Sequence, residues 1–518
     1  MWAPALNRRA QRGARREQVL LSDDLGQSGR AKPRGERAIG AGRSRRGLAL
    51  LPCRVEELLH DSQYPRPRGR DEWLAYDPPM TDTAAIAQLE AEAVELLSRL
   101  LRLNTVNPPG DELPAQQLLA GILEGAGFEV TLVGRTPDRP NLVARLRGRS
   151  DGPTLCLLSH VDTVLAHAGE WQRDPWGGEV VDGVVWGRGA LDMKSQTAAE
   201  VTAAVSLARE GWRPESGDLL VVAVVDEETG GAEGAIWLCD NHPDLVRCDY
   251  LVNEGAGAVI PFDGGRLYAV CVAEKGVFRF NLTTSGAAGH ASNPRMGDNA
   301  LLKLAPLLQA MGDRQPGFDV TEGPLRLLRD LGFDPDGDAV GALEALRVRD
   351  PLLALLVEPQ LGVTFAPTMV SASEKVNVIP SRAQISVDCR TPPGIGDDVV
   401  RGRIEEVLGA GGYRVEFTEH TVGNSSPVQS PLMDAIHGWV ERRDPGARVV
   451  PVLLPAYTDS RTFRAAFPDC VAYGFFPMKH TTLYESWPLI HAPDERIDAR
   501  DLAIAVDCYR ELAVELLG

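Results

Sequence analysis

One apolar run constrains the fold of this 518-residue chain more than any other segment. The sequence LCLLSHVD occupies residues 155–162, so four apolar residues lead directly to Ser159, His160 and, two positions later, Asp162. A short continuous apolar run of this kind predicts a buried strand. In open α/β sheets, ligands bind at the carboxyl ends of the strands, and His160 lies at such an end. The run therefore predicts an α/β fold with a functional site after this strand.

Further acids and a second histidine occupy similar positions later in the chain. They are Asp192 in GRGALDMKS, Glu227 and Glu228 in VVDEETGG, Glu254 in LVNEGAG and His491 in LIHAPDERI. Each of these except His491 directly follows an apolar run or a tight glycine turn. A lone HxD sequence is commonplace, and a lone EE pair usually lies on a solvated surface. The ordered series of such groups at strand ends instead indicates a metal site in an α/β hydrolase.

The composition of this series suits zinc, because imidazole and carboxylate are common zinc ligands. Six such groups are too many for one tetrahedral ion, but two metals about 3.5–4 Å apart, sharing a bridging carboxylate, would use them all. One carboxylate must remain off the metals to move the proton of the water. The adjacent Glu227 and Glu228 offer this division, with a turn at residues 229–231 aiming both into one site. Asp162 shares a strand face with His160 and suits a carboxylate that orients the imidazole.

These motifs resemble the zinc-dependent family of aminoacylases, glutamate carboxypeptidases and succinyl-diaminopimelate desuccinylases. The matching stretches run in the family's order from about residue 90 to the end of the chain: LLSHVDTV, GRGALDMKS, VVDEETGG, LVNEGAG, SGAAGHAS, KVNVIPSRAQISVDCR, YTDSRTF and LIHAPDERI. The resemblance implies a zinc-peptidase-like α/β catalytic domain with a central mixed sheet. It also implies two Zn²⁺ ions per subunit, with Co²⁺ or Mn²⁺ as alternatives.

The resemblance also implies a role for each residue of the series. The implied metal ligands are His160, Asp192, Glu228, Glu254 and His491. Asp192 would bridge the two metals, with His160 and Glu228 on one and with Glu254 and His491 on the other. Glu227 would be the general base and later the acid, and Asp162 would assist catalysis beside His160. Members of the family often have a cis peptide after the bridging aspartate, here Asp192–Met193.

A second domain is predicted after residue 274, where FRFNLTTSG alternates apolar and polar residues as a one-sided strand does. The elements expected next are a helix over 299–311, strands over 362–370 and 383–390, a helix over 398–408 and a strand over 413–421. This βαββαβ order is ferredoxin-like α+β. By resemblance, residues 275–424 form an inserted lid that also pairs two subunits in a homodimer, while residues 80–274 and 425–518 form the catalytic domain.

Within the lid sequence, residues 312–361 are a long insertion. Its segments PLRLLRDLG and DPLLALLVE are apolar at helical spacing, which predicts packed helices. This insertion belongs either to a core or to a dimer surface.

Four residues are candidates for contacts with substrate. His290 lies in the glycine-rich SGAAGHASNP and on its own is typical of a polar loop histidine; by resemblance it reaches the active site of the partner subunit and stabilises an oxyanion. Asn377 and Arg390 match positions that touch substrate, although Arg390 also suits a salt bridge at a strand end. Many members have a glycine-rich GGT or GTS segment before the late aspartate, where this chain has Pro455 to Arg461. Arg461 would bind a carboxylate or pair with an acid.

The charge of the chain excludes several classes of function. Residues 1–79 hold 16 Lys and Arg against 10 Asp and Glu, a net charge of +6, and the whole chain carries −18, which leaves −24 for residues 80–518. A body this acidic argues against nucleic-acid binding. No apolar stretch approaches the about 20 residues of a membrane span, so no membrane partner is expected. Neither a phosphate-binding loop nor a G-x-S-x-G elbow is present.

Residues 1–79 differ from the rest of the chain. They are rich in Arg, Gly and Pro and lack amphipathic periodicity, which predicts a disordered extension. GLALLPC is too short and too far from the start for a secretory signal, and the tail contains too many acidic residues for a typical transit peptide. We hypothesise that synthesis begins at Met80, because the sequence after it opens with a threonine cap and an amphipathic helix. Eight scattered cysteines without CxxC spacing indicate a reduced compartment, and hence a cytoplasmic protein.

Taken together, these observations predict a cytoplasmic dinuclear-zinc amidohydrolase. It would cleave a peptide or N-acyl amide bond next to a free carboxylate, as a dipeptidase, carboxypeptidase or aminoacylase does. One alternative is a zinc aminopeptidase with the same metal core, which an acidic pocket for a free amine would favour. The other is a catalytically silent binding module, which would be expected to lack a metal ligand or the base.

Overall fold

The strand predicted from the apolar run lies at the centre of the molecule. The computed structural model describes residues 83–518, and in it β3 runs from Thr154 to His160. All residues from 155 to 160 are at most 1% exposed. β3 pairs in parallel with β6 (Asp218–Val224) and with β7 (Tyr250–Asn253). Because the three strands are parallel, their carboxyl ends meet at one edge of the sheet.

Ten strands form this central sheet, which is mixed as predicted. The order is β1-β2-β6-β3-β7-β18-β9-β8-β19, with β17 beside β9. β2 is antiparallel to β6, whereas β18 is parallel to β7. The other seven strands are β1 (Glu129–Val133), β2 (Asn141–Arg147), β8 (Ala258–Phe262), β9 (Gly265–Glu274), β17 (Arg448–Leu454), β18 (Val471–Gly474) and β19 (Met478–Thr482).

Helices surround the central sheet and form its two cores. On one face, the apolar sides of the long helices pack on alternate strand residues such as Leu155, Leu157 and Leu219, and these residues are fully buried. The helices around the sheet are α1 (Thr83–Leu101), α2 (Leu113–Gly125), α3 (Lys194–Arg209), α4 (Ala235–Asn241), α5 (Pro243–Val246), α11 (Pro431–Arg443), α12 (Ser460–Ala466), α13 (Leu483–Ser486) and α14 (Ala499–Leu517). A small sheet of β4 (Glu179–Val181), β5 (Val184–Trp186) and β20 (Arg496–Asp498) completes this part.

A separate five-stranded sheet contains the predicted βαββαβ elements. It is antiparallel, and its strand order β13-β15-β11-β16 is the ferredoxin-like one, with β10 also on β15. Its elements are β10 (Gly276–Val277), β11 (Phe280–Ser285), α6 (Ala300–Asp313), β13 (Thr364–Ser371), β15 (Arg382–Thr391), α10 (Asp397–Leu408) and β16 (Arg414–Phe417). Both helices share one apolar core with the strands. The last strand is shorter than predicted and ends at Phe417.

The insertion at residues 312–361 is helical, as predicted. It contains α7 (Glu322–Asp330), α8 (Ala339–Arg349) and α9 (Pro351–Val357). Leu328 and Leu346 of these helices are fully buried in one cluster with residues of β8, β9 and β17, including Leu267. Of the two alternatives, the contacts therefore favour a core, and that core lies on the central sheet rather than on the five-stranded sheet. The division of the chain at residues 274 and 424 stays a prediction.

The described part of the chain has no helix that is both long and apolar enough to cross a membrane. Its seven cysteines are buried as free thiols. Cys156, Cys271 and Cys389 lie within strands, and Cys470 immediately precedes β18. The predictions about the disordered extension and about a start at Met80 lie outside the described residues.

Candidate metal centre

The carboxylate of Asp192 lies between the two histidines of the series. Its Oδ1 is 3.1 Å from Nε2 of His160, and its Oδ2 is 3.1 Å from Nε2 of His491. His160 is buried at the end of β3, whereas His491 is half-exposed on a loop and has a positive φ of 60°. One carboxylate thus faces two imidazoles from segments about 330 residues apart in sequence.

The three glutamates of the series meet the same centre. Oε2 of Glu228 lies 3.3 Å from Nε2 of His491. From Nε2 of His160, the nearest oxygens of Glu254 and Glu227 are 3.9 and 4.0 Å away. Two overlapping groups have donor atoms close enough together to hold an ion: His160, Asp192 and Glu228, and His160, Glu227 and Glu254. The structure therefore brings all six predicted side chains together.

The contacts favour a different pairing from the one that the resemblance implies. Glu228 was expected with His160, and Glu254 with His491. Glu228 instead lies nearest His491, while Glu254 lies near His160. Oε1 of Glu228 accepts a hydrogen bond from Val164 N (3.1 Å), while its Oε2 faces His491.

Asp162 holds the imidazole of His160 and the turn that bears the two glutamates. Its Oδ1 lies 3.4 Å from Nδ1 of His160 and accepts from Glu227 N over 3.2 Å. Its Oδ2 accepts from Glu228 N over 3.2 Å and from Nδ2 of Asn107 over 2.9 Å. These contacts fit a carboxylate that orients the site from outside the ligand set.

Asn107 is a residue of this site that the sequence analysis missed. It is buried, and its Nδ2 also lies 3.0 Å from Oδ1 of Asp226 and 3.2 Å from Oγ1 of Thr229. Asp226 occupies the left-handed region (φ 72°) directly before Glu227. In the sequence, Asn107 belongs to the NPPG segment and Asp226 is the first acid of DEE. Neither pattern indicates that these two residues, 119 positions apart, are in contact.

A second network fixes the backbone around Asp192. Glu495 is buried, pairs with Arg188 and accepts hydrogen bonds from Leu191 N (2.6 Å) and Asp192 N (2.9 Å). The Asp192–Met193 peptide is cis, in accordance with the resemblance. Glu495 belongs to the matched stretch LIHAPDERI, but the sequence analysis assigned it no role.

The crowding of buried acids perturbs their pKa values. Burial raises the pKa of Glu227, Glu228 and Glu254; for Glu227 the neighbouring charge of Glu254 adds to this effect. Hydrogen bonds to Asp192 and Glu228 raise the pKa of His491 to about 10. Carboxylates that repel one another in a buried site are the donor set that a divalent cation stabilises, so these side chains fit metal ions.

The lid residues predicted to contact substrate lie outside this cluster of donors. His290 is exposed on β12 (Gly289–His290), which pairs with β14 (Val378–Ile379), and its Nδ1 lies 2.7 Å from Oγ of Ser292. Asn377 is exposed next to it, and its carbonyl accepts from Ala291 N. Arg390 is half-buried and forms a fork with Asp388, with Nε 2.7 Å from Oδ1 and Nη2 3.3 Å from Oδ2. The salt bridge considered for Arg390 is thus present.

Arg461 lies on α12 and is linked to Glu227 through Tyr457. Its guanidinium carbon is 4.3 Å from the ring centroid of Tyr457, and the hydroxyl of Tyr457 donates to Glu227 O over 3.4 Å. Asp459 lies between Tyr457 and Arg461 in the sequence. It is 1% exposed, and burial raises its pKa to about 7. The acid pairing considered for Arg461 is absent among residues 83–518.

A family model and curated relatives match this chain over most of its length. The model of peptidase family M20/M25/M40 matches residues 156–515. Succinyl-diaminopimelate desuccinylase 2 of Ruegeria sp. is 33% identical over 367 residues, which cover 67% of this chain and 86% of the relative. The succinyl-diaminopimelate desuccinylase of Xanthobacter autotrophicus is 30% identical over 393 residues, covering 67% of this chain and 98% of the relative.

Solved structures show the same fold at low sequence identity. The M20 family metallo-carboxypeptidase Sso-CP2 of Sulfolobus solfataricus has a TM-score of 0.62 at 18% identity, covering 82% of this chain and 99% of that one. Human carnosine dipeptidase 1 has a TM-score of 0.59 at 16% identity, and the match covers 84% of this chain and 97% of that one.

Proposed function

Because this chain belongs to peptidase family M20/M25/M40 and is a hydrolase, we propose that it cleaves a peptide or N-acyl amide bond next to a free carboxylate. The observation that carries the proposal is the position of Asp192, whose two oxygens each face a different histidine at 3.1 Å. A carboxylate placed in this way suits a bridge between two metal ions. The names of the relatives, which include desuccinylases, a metallo-carboxypeptidase and a dipeptidase, support substrates of this class.

Two Zn²⁺ ions are the proposed cofactors, with Co²⁺ or Mn²⁺ as alternatives. His160, Asp192 and Glu254 would hold one ion, and Asp192, Glu228 and His491 would hold the other. This assignment follows the contacts described above rather than the pairing implied by resemblance. When bound, such ions supply a Lewis acid for the carbonyl oxygen and make water easier to deprotonate.

The residues of the chain would move the proton and stabilise the developing charge. Glu227, buried beside His160, would accept a proton from the attacking water and return it to the leaving nitrogen as the C–N bond breaks. Asp162 would keep His160 in one orientation. His290 from a second subunit would donate to the carbonyl oxygen as it becomes negative. Asn377, Arg390 and Arg461 are the proposed contacts with substrate.

A homodimer formed through the five-stranded sheet is part of the proposal. β13 is an edge strand of that sheet, and Met369 and Val370 on it are 69% and 53% exposed. Leu302, on α6 of the same domain, is 70% exposed. Exposed apolar side chains beside an unpaired strand edge are typical of a surface that another chain covers.

The cytoplasmic location stays a prediction.

The test is hydrolysis of a mixed panel of dipeptides and N-acyl amino acids, followed by mass spectrometry, with the protein first stripped by a chelator and then reloaded with zinc. Cleavage restored by zinc, including cleavage of N-acyl amino acids, is the expected result. Cleavage confined to compounds with a free amine would favour the aminopeptidase alternative instead. If two zinc ions bind per chain and no member of the panel is cleaved, the proposal is wrong and the silent module is favoured.

A further inference from the structure

Arg461 has no counter-charge among the residues that the structure describes. Its guanidinium makes no hydrogen bond or ion pair with any residue in the range 83–518, and its Nη1 is buried. A buried donor without a partner destabilises the fold, so its presence requires an explanation.

The neighbouring arginine of the same helix shows that the fold can satisfy such a group. Arg464 is buried three residues later, and its Nη1 lies 3.0 Å from Glu274 and 3.2 Å from Asn424. Its Nη2 donates to the carbonyl of Ala472 over 2.9 Å. The missing partner of Arg461 is therefore not a general property of arginines in this helix.

Tyr457 links the charge of Arg461 to the proposed reaction centre. Its guanidinium lies over the ring of Tyr457, and the hydroxyl of that ring contacts the backbone of Glu227. One side chain thus separates the unpaired cation from the proposed general base. Stacking on an aromatic ring orients the planar guanidinium and leaves its edge of N–H donors free to form a fork with a carboxylate.

Arg390, the other candidate for this role, already forms an ion pair within the protein. Its Nε and Nη2 form a fork with both oxygens of Asp388, which also pairs with Arg279. Its charge is thereby already paired, and Nη1 is the only nitrogen outside this fork. Arg461 has no such pair to lose.

We propose that Arg461, oriented by Tyr457, is the residue that binds the substrate's carboxylate and thereby selects anionic amide substrates. This inference rests on the proposed function. It assigns recognition of the carboxylate to the segment that replaces the glycine-rich one of many family members. It also predicts that a neutral compound of the same shape is a poor substrate, because the buried Nη1 then stays without a partner.

The test compares N-acetyl amino acids that have neutral side chains with their carboxamides, in which an uncharged amide replaces the carboxylate. Arg461→Met keeps the length of the side chain without its charge, and Arg461→Lys restores a point charge without the fork. Arg147→Met is the matched control, because Arg147 is 62% exposed and pairs with Glu129 on the surface. We expect Arg461→Met to raise KM for the acids about 100-fold while kcat and the weak cleavage of the carboxamides change little. For Arg461→Lys, the KM for the acids is expected to lie between those of the unaltered chain and Arg461→Met.

Two results would overturn the assignment. One is an equal loss for acids and carboxamides in Arg461→Met, and the other is discrimination that disappears in Arg390→Met but persists in Arg461→Met. Binding of the same acids, measured by saturation-transfer NMR, separates this inference from the proposed function. If zinc-loaded protein cleaves nothing but binds the acids only when Arg461 is present, the proposed function fails and this assignment stands. If Arg461→Met binds them as the unaltered chain does, the assignment fails.

Discussion

The side-chain nitrogen of Asn107 lies 2.9 Å from Oδ2 of Asp162, and the same nitrogen lies 3.0 Å from Oδ1 of Asp226. Asp226 keeps its charge in this buried place: burial alone would raise its pKa, but hydrogen bonds from Thr229, Glu233 N and Asn107 lower it below the usual range. Arg139 adds an ion pair to Asp226 at 3.4 Å. One amide thus links the carboxylate that orients His160 with the residue before the proposed base.

Asn107→Ala is expected to lower both kcat/KM and zinc affinity about 10–100-fold, the range found for groups that orient metal ligands. The reason is that Asp162 and Asp226 lose the donor between them. Zinc affinity by chelator competition and kcat/KM on the best substrate of the panel check this expectation. Asn104→Ala is the control, since Asn104 is exposed three residues earlier. If Asn107→Ala and Asn104→Ala have the same zinc affinity and kcat/KM, Asn107 does not contribute to the site.

Glu227→Gln is expected to bind zinc as the unaltered chain does but to lose about 10²–10⁴-fold in kcat. The amide keeps the size of the side chain and cannot accept the proton of water. Zinc content by mass spectrometry and single-turnover rates are the measurements. If Glu227→Gln loses zinc instead, Glu227 is a ligand, which its place in one of the two donor groups would explain.

The pairing of ligands can be tested with double variants. If Glu228 and His491 hold one ion, Glu228→Ala combined with His491→Ala removes one zinc equivalent per chain and spares the other. Glu254→Ala combined with His491→Ala affects both ions, because each variant then weakens a different site. Equilibrium dialysis with zinc counts the equivalents. The opposite pattern would restore the pairing of Glu228 with His160.

Glu200 predicts a stability that falls as pH rises. It is buried in α3, where Gln196 Nε2 donates to it over 2.8 Å, and burial raises its pKa from 4.5 to about 8. Between these values the folded chain holds a proton that the unfolded chain has lost. Its contribution to stability is therefore complete below pH 4.5 and is lost as pH rises towards 8, by up to about 1.4 kcal/mol per pH unit.

Glu200→Gln cannot ionise and should therefore remove this dependence. We expect the urea midpoint of the variant to exceed that of the unaltered chain at pH 8 and to match it more closely at pH 5. Glu124→Gln, at an exposed position of α2, is the control. A difference between Glu200→Gln and the unaltered chain that does not change with pH would contradict the prediction.

Met369→Lys on the edge strand β13 is expected to shift the protein from dimer to monomer, because it places a charge on the apolar surface proposed to pair two chains. Sedimentation velocity should show twice the 56.0 kDa chain mass before the substitution and a single chain after it. Val180→Lys, at a 48% exposed position on β4, is the control. A monomeric unaltered protein would contradict the proposed dimer.

Local patterns were sufficient to predict much of this fold. The run at 155–158 is a buried strand, and the alternation after residue 274 begins the five-stranded sheet. The apolar spacing in 312–361 gives helices, and a cis peptide follows Asp192 as the resemblance implies. These features depend on residues close together in sequence, because burial and backbone hydrogen bonding impose a period on each strand and helix. The motifs also named the six donor side chains that meet at the metal centre.

Only the tertiary structure decided which of these side chains are neighbours. Glu228 lies beside His491, 263 positions away, and Asn107 links two acids that lie 55 and 119 positions later. Glu495 fixes Asp192 across 303 positions, and Arg461 is left without a counter-charge while Arg464 has one. The sequence determined the set of groups at the strand ends. Their pairing was decided by tertiary packing, since a contact between distant segments depends on where all the intervening elements pack.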